Sequence, residues 1–99
     1  MSRNAQEQLI RMQFVEAMLV LRGSVSRIDV AQMFEIAPAC VTRDIARYRI
    51  KNPRFYYNSA TRRYEVEKDF QPVPKFLHVS HDLFVDALEV VTGYKADRP

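Results

Sequence analysis

Apolar residues in the first part of the chain recur with the period of an α-helix. Between residues 5 and 22 they fall every three or four positions, which predicts an amphipathic first helix from Ala5 to Arg22. Gly23 follows directly, and glycine adopts the left-handed conformation that ends many helices without a steric penalty. The apolar positions that define this helix are Leu9, Met12, Phe14, Val15, Met18, Leu19 and Leu21.

Two shorter helices are predicted after the first. Ser26 is suited to an N-cap and Asp29 to its capping partner, so a second helix follows Ser26 and ends near Glu35. Pro38 suits the first turn of a third helix, which runs to about Lys51. The side chains expected to face the core from this pair are Ile28, Ala31, Met33, Phe34, Ile36, Val41, Ile45 and Tyr48.

The pattern changes after residue 53, where aromatic and β-branched residues predict two strands. The segments "RFYYN" and "RRYEVE", joined by a polar turn over residues 58–61, indicate a β-hairpin. The expected fold is mainly α with a β-hairpin (α+β): a winged helix-turn-helix of three helices plus wing, followed by a C-terminal helix. In a helix-turn-helix the second helix of the motif enters the major groove of DNA.

The C-terminal part is expected to stand apart from the winged helix. We expect residues 1–70 to be the DNA-binding domain, 71–78 a proline-containing linker, and 79–99 a C-terminal helix and tail. Ser80 and Gly93 are suited to begin and end that helix.

An apolar stripe on this last helix needs a partner, since a small domain has limited capacity to bury it. Folding back onto the first helix of the same chain is one outcome, and pairing with a second chain is the other. We expect the second, a homodimer, because one recognition helix makes few base contacts. The residues expected at the dimer interface are Phe14, Met18, Leu83, Phe84, Ala87, Leu88 and Val91.

Composition restricts the classes of protein. The 99 residues, 47% of them hydrophobic, suit a single domain, and there is neither a secretory signal nor an apolar run long enough for a membrane. Cys40 is the only cysteine, which excludes an internal disulfide and a cysteine-based zinc cluster. We expect a cytoplasmic protein with no membrane partner.

Positive charge is concentrated in the middle of the chain. Residues 38–63 carry seven basic side chains against a single acid, Asp44, although the whole chain carries only +3. The remainder is therefore net negative, and such asymmetry favours a nucleic-acid binder over a protein with a merely solvated basic face.

The third helix is expected to present its basic residues to DNA. With Ile45 placed inward at 100° per residue, Arg43 and Arg47 fall within about 20° of the opposite pole. Guanidinium groups can bind guanine O6 and N7 or phosphates, and the small Ala39 and Ala46 allow the helix to sit deep. An ordinary solvated surface helix is the alternative.

The hairpin is expected to act as the wing. Arg62 and Arg63 lie at its turn and Arg54 at its base, where they can reach phosphates, although the hairpin also covers the core. The full set of residues expected to contact DNA is Ala39, Thr42, Arg43, Ala46, Arg47, Arg49, Lys51, Arg54, Arg62 and Arg63.

The stretch "VAQMFEIAPACVTRDIARYR" resembles the helix-turn-helix of DeoR-like bacterial repressors. It is more similar to the N-terminal winged-helix domain of WYL-domain regulators, including those that control phage-defence operons. "GSVSRIDV" and "FYYNSATRRYEV" fall in matching places, and the similarity spans about residues 8–72. Glu35 replaces a glycine common in the turn, and Pro38 and Cys40 replace polar residues. Because the sequence ends at Pro99, we expect neither a ligand-sensing WYL domain nor a small-molecule ligand.

This resemblance implies a sequence-specific double-stranded DNA-binding transcriptional regulator of a prokaryote or phage, and a dimeric repressor is expected. An architectural DNA-binding factor, such as a phage excision protein, and a winged-helix module for protein–protein interaction are the alternatives.

An enzyme is not expected, and neither is a cofactor. Two glycines provide no phosphate-binding loop, and no serine has the glycine neighbours of a nucleophile elbow. His78 and His81 lack a third metal ligand. Cys40 lies near a helix N-terminus among arginines, where a thiol can be reactive, but a small, partly buried filler is the expected role.

Overall fold

The computed structural model describes residues 3–95, which form four helices and a small antiparallel sheet. The strand order is β1-β3-β2. The predicted fold class, mainly α with a wing, is confirmed. The elements are α1 (Arg3–Arg22), β1 (Ser24–Val25), α2 (Arg27–Phe34), α3 (Pro38–Lys51), β2 (Phe55–Asn58), β3 (Arg63–Val66) and α4 (His81–Thr92).

The helix-turn-helix forms from the caps that the sequence provides. The Ser26 hydroxyl accepts the backbone N–H of Asp29 at 3.0 Å, which begins α2. Glu35 ends this helix in the left-handed conformation, with φ of 52°, and donates its N–H to the carbonyl of Ala31. Pro38 then begins α3. Glycine adopts this conformation most readily, so Glu35 takes a conformation that costs an L-residue about 1 kcal/mol.

The residues between α1 and α2 form a third strand of the sheet. Ser24 lies opposite Glu65 and Val25 opposite Tyr64, so β1 extends the wing hairpin into a three-stranded sheet. Val25 is fully buried. Two residues are too short for any alternation to be visible in the sequence, and only the neighbouring β3 makes them a strand.

The core lies between α1, the helix-turn-helix, the inner side of the sheet and α4. One prediction about it is wrong: Ile28 is 64% exposed, whereas Val30 is buried. The reason is the rotation of α2, which turns Asp29, Val30, Ala31 and Met33 inward. A helix of eight residues has too few apolar positions for its inner face to be assigned by periodicity alone.

Residues 71–78 do not separate α4 from the winged helix. Val73 and Phe76 pack against the core, and the Gln13 side chain donates to the carbonyl of Phe76 at 2.9 Å. Val85 of α4 is itself buried in the core. The predicted linker is therefore a strap, and α4 belongs to the same packed unit as the helix-turn-helix.

The predicted dimer interface needs a correction. Phe14 and Met18 are fully buried beneath the elements that cover α1, so they cannot contact a second chain. Phe84 and Leu88 pack against the same core, which corresponds to the fold-back alternative. The other predicted interface residues remain on the surface: Leu83, Ala87 and Val91. Within residues 3–95, none of the helices has the length and apolarity to cross a membrane.

Candidate nucleic-acid interface

The two faces of α3 differ in burial as its sequence predicts. Val41, Ile45 and Tyr48 are buried against the core. Arg43 and Arg47 are exposed on the opposite face. The small residues Ala39, Thr42 and Ala46 are also exposed there. The outer surface of α3 therefore combines two arginines with small side chains, which allow close approach to another surface.

The single acidic residue of α3 does not share that outer surface. Asp44 is 1% exposed and accepts hydrogen bonds from Arg11 of α1, Nε to Oδ2 at 2.5 Å and Nη2 to Oδ1 at 3.3 Å. The hydrogen bond to Asp44 raises the pKa of Arg11 above its usual value. This ion pair ties α3 to α1. It also neutralises Asp44 away from Arg43 and Arg47, whose positive charges are then not opposed by an acid of their own helix.

A second polar connection beneath α3 centres on Tyr48. Its hydroxyl donates to Glu16 Oε1 at 2.6 Å, and Asn52 Nδ2 donates to the Tyr48 hydroxyl at 3.2 Å. Burial, and then the hydrogen bond to Glu16, raises the pKa of Tyr48 strongly. The strap joins the network, because the Val73 N–H donates to Glu16 Oε1 at 2.7 Å and Asn52 donates to the carbonyl of Gln71 at 2.6 Å.

Glu16 and His81 are structural residues that the sequence did not reveal. Glu16 lies on α1 and is charged, yet it is 1% exposed. His81, at the start of α4, places its Nε2 3.7 Å from Glu16 Oε2. Helical periodicity cannot identify a buried carboxylate, because its partners lie 32 and 57 positions further along the chain. In residues 3–95, no three His, Cys, Asp or Glu side chains form a group suited to a metal ion.

Two of the arginines expected to bind DNA are half-buried and hold neighbouring elements together. Arg49 donates to the carbonyl of Phe55 at 2.7 Å, and its guanidinium carbon lies 4.2 Å from the centre of the Phe55 ring. Arg63 is half-buried, and its Nε donates to the Ser24 hydroxyl at 2.9 Å. Arg63 is the first residue of β3 rather than part of the turn, and it lies opposite Asn58. Arg49 and Arg63 thus fasten the wing to α3 and to β1.

The other basic residues of the predicted set lie at the surface. Arg62 occupies the turn of the wing in a left-handed conformation, φ 58°, and its N–H donates to the carbonyl of Asn58 at 2.8 Å. Arg54 lies at the base of the hairpin with its Nε 3.5 Å from Asp69, an exposed ion pair. Lys51, the last residue of α3, is exposed.

Arg27 joins this surface although nothing in the sequence marked it. It is the first residue of α2 and is exposed, and its Nη1 donates to the Thr42 hydroxyl at 3.3 Å. The contact places a third arginine beside the outer surface of α3. Only the crossing of α2 and α3 brings positions 15 residues apart together.

A cleft of about 320 Å³ lies beside this surface, between α1 and α3. Cys40 is half-buried in the wall of this cleft. The Nη2 atom of Arg43 lies 3.3 Å from the Cys40 sulfur. The other lining residues are Glu7, Gln8, Arg11, Asp44 and Arg47.

The similarity of the chain to known families agrees with this geometry. The family model of the BrxR transcriptional regulator winged helix-turn-helix domain matches residues 7–89, which include the helix-turn-helix, the wing and most of α4. A search of curated proteins finds no match. The resemblance to the N-terminal domains of WYL-type regulators is thereby confirmed. With a winged helix, an exposed arginine face and a match over most of its length, the chain belongs to the BrxR family of winged helix-turn-helix domains, which are DNA-binding domains of transcriptional regulators.

Proposed function

We propose that the protein binds a specific double-stranded DNA sequence by inserting α3 into the major groove. The observation that carries this proposal is the outer surface of α3, where Arg43 and Arg47 are exposed while Asp44 is turned inward onto Arg11. Arginine can fork onto guanine O6 and N7, and small neighbours allow the backbone of the helix to come close to the base edges.

Phosphate contacts would supplement the base contacts made by α3. Arg62 at the tip of the wing and Arg27 at the start of α2 are exposed, and each carries a fixed positive charge. Lys51 and Arg54 would add to this set where the third helix meets the wing. Such contacts fix the register of the protein on DNA, and the base contacts then select the sequence.

The regulator would act as a homodimer and as a repressor. Support for the dimer comes from α4, which is apolar on two sides: Val85 is buried in the core, while Leu83, Val90 and Val91 are exposed. When one apolar face of a helix packs on its own core, a second apolar face stays exposed to water unless another chain covers it. A two-fold pair would double the base contacts, and a dimer on a promoter would exclude the polymerase.

Selection of duplexes from a random pool, followed by footprinting, tests this function. We expect one motif of two inverted half-sites, separated by a whole number of helical turns. An extended array of direct repeats would instead indicate an architectural factor. A chain that protects no DNA would overturn the proposal and favour a protein-binding module, although the retained outer arginines argue against one.

Light scattering tests the dimer separately. The full chain should be dimeric at tens of micromolar, and Leu83→Asp should make it monomeric and weaken binding to the inverted motif. Gln32→Asp, on the exposed surface of α2, adds the same charge and should leave the dimer intact. A monomeric wild-type chain bound one to one to the motif would contradict the dimer.

A further inference from the structure

One exposed residue of α3 is large and apolar rather than basic. Ile50 is 84% exposed, which makes it the most exposed of the large hydrophobic residues that the structure describes. It stands near the end of α3 with Lys51 and Arg54 close in the chain, so an apolar side chain lies on the most basic part of the protein. Exposure of this kind gives no burial energy, and a β-branched residue is also a weaker helix former than lysine or arginine.

The direction of Ile50 is the same as that of the arginine surface. Seven residues separate it from Arg43, which in an α-helix leaves the two side chains about 20° apart around the axis. Ala39 and Ala46 lie on the same side, and both are exposed. Along the centre of the outer surface of α3, the side chains therefore follow the order Ala39, Arg43, Ala46 and Ile50. Arg47 lies at the side of this stripe.

An apolar side chain in the major groove has one matching group among the base edges, the C5-methyl of thymine. We infer that Ile50 contacts a thymine methyl group and thereby specifies an A·T pair. This inference rests on the proposed binding of DNA through α3. The contact would lie within about three base pairs of the base read by Arg43, because seven helical residues rise about 10 Å and base pairs are about 3.4 Å apart.

Removal of single methyl groups from DNA tests this inference. The full chain first selects its preferred duplex from a random pool, and each thymine of that duplex is then replaced in turn by deoxyuridine, which lacks only the C5-methyl. At one position the wild-type protein should lose about fourfold in affinity, the value expected for burial of one methyl group. Ile50→Ala should bind the thymine duplex about fourfold more weakly and should no longer distinguish thymine from deoxyuridine there.

Two variants separate this effect from a general change in binding. Val79→Ala truncates a side chain that is 54% exposed just before α4 and belongs to neither the arginine surface nor the proposed dimer face, so the discrimination at the thymine position should be unchanged. Ile50→Lys adds a positive charge, so its affinity for random duplex should be at least that of the wild type, yet the discrimination should be lost. A chain that selects no sequence would overturn the proposed function and this inference with it. A chain that selects a sequence, but whose Ile50→Ala variant still loses affinity at the same deoxyuridine, would overturn this inference alone.

Discussion

The inner and outer faces of α3 use charge in opposite ways. On the inner face the charged and polar groups are matched: Asp44 with Arg11, and Tyr48 with Glu16. On the outer face Arg43 and Arg47 have no acid of α3 beside them, because the only acid of the helix points inward. Paired charges in a low-dielectric interior fix the position of a helix, whereas exposed charges of one sign attract a polyanion. The direction of a charged side chain, more than its presence, therefore separates structural support from DNA recognition.

The sharpest test of this difference compares one arginine from each face. Arg11→Ala should lower the free energy of unfolding by about 3 kcal/mol, because it leaves the Asp44 carboxylate buried without its counter-charge. Arg43→Ala, the matched control on the outer face, should change stability by less than about 0.5 kcal/mol. Urea denaturation measures both. Equal stabilities would show that the inner ion pair does not hold α3.

DNA affinity should depend on the outer-face arginines, which matter little for stability. Arg43→Ala and Arg47→Ala should each weaken binding to the selected duplex by about 1–3 kcal/mol, since each removes a base or phosphate contact made by the outer face. Titration of labelled duplex gives the affinities, with random duplex as the reference. If both variants bind the selected duplex as the wild type does, α3 is not the recognition helix.

The pH dependence of stability tests the hydrogen-bond network that joins Tyr48 of α3 to Glu16. Because the pKa of Tyr48 is raised in the folded state, its contribution to stability is complete below the unfolded pKa of about 10 and is lost as the pH rises above it. Tyr48→Phe should cost about 1–2 kcal/mol at neutral pH, where Glu16 loses a donor, and should flatten the fall in stability above pH 10. Tyr57→Phe, at an exposed position of the wing, is the control. Parallel pH profiles for the two variants would contradict the buried network.

The wing offers the smallest of these effects, again as a contrast between neighbouring arginines. Arg62→Ala should reduce the salt dependence of DNA binding by about 0.9 units of slope, the value for one lost phosphate contact. Arg63→Ala should leave that slope unchanged and instead lower stability, since Arg63 joins β3 to Ser24 of β1. Binding measured from low to high salt decides the first, and thermal unfolding the second. A slope that changes only in Arg63→Ala would reverse the assignment.

Structural features that depend on a few adjacent residues were predicted correctly from the sequence, whereas features that depend on distant contacts were not. The capping of α2 by Ser26 and the start of α3 at Pro38 depend on a few adjacent residues, and both were predicted. The outward direction of Arg43 and Arg47 follows from the period of one helix, so it was predictable as well. The strand at Ser24 was not, because two residues carry no pattern of their own.

The C-terminal region was predicted less well, for a related reason. Prolines at residues 72 and 74 suggested a linker. In the structure Asn52 and Glu16 hold this segment through hydrogen bonds to Gln71 and Val73, and nothing in the sequence of the segment indicates those contacts. The apolar stripe of α4 was recognised, but its direction was shifted, and Val85 rather than Leu83 points into the core. Two apolar faces on one helix look alike in a sequence.

The sequence by itself determined the helix-turn-helix, the wing hairpin and the concentration of positive charge in residues 38–63. These features depend on periodicity, caps and composition, which act over a few residues. Only the tertiary structure decided that Asp44 is paired with Arg11, that Glu16 lies buried beneath Tyr48, and that Arg49 and Arg63 fasten the wing while Arg27 joins the outer surface. Each of those outcomes is a contact between distant parts of the chain, and the packing of helices and strands, rather than any local pattern, brings the partners together.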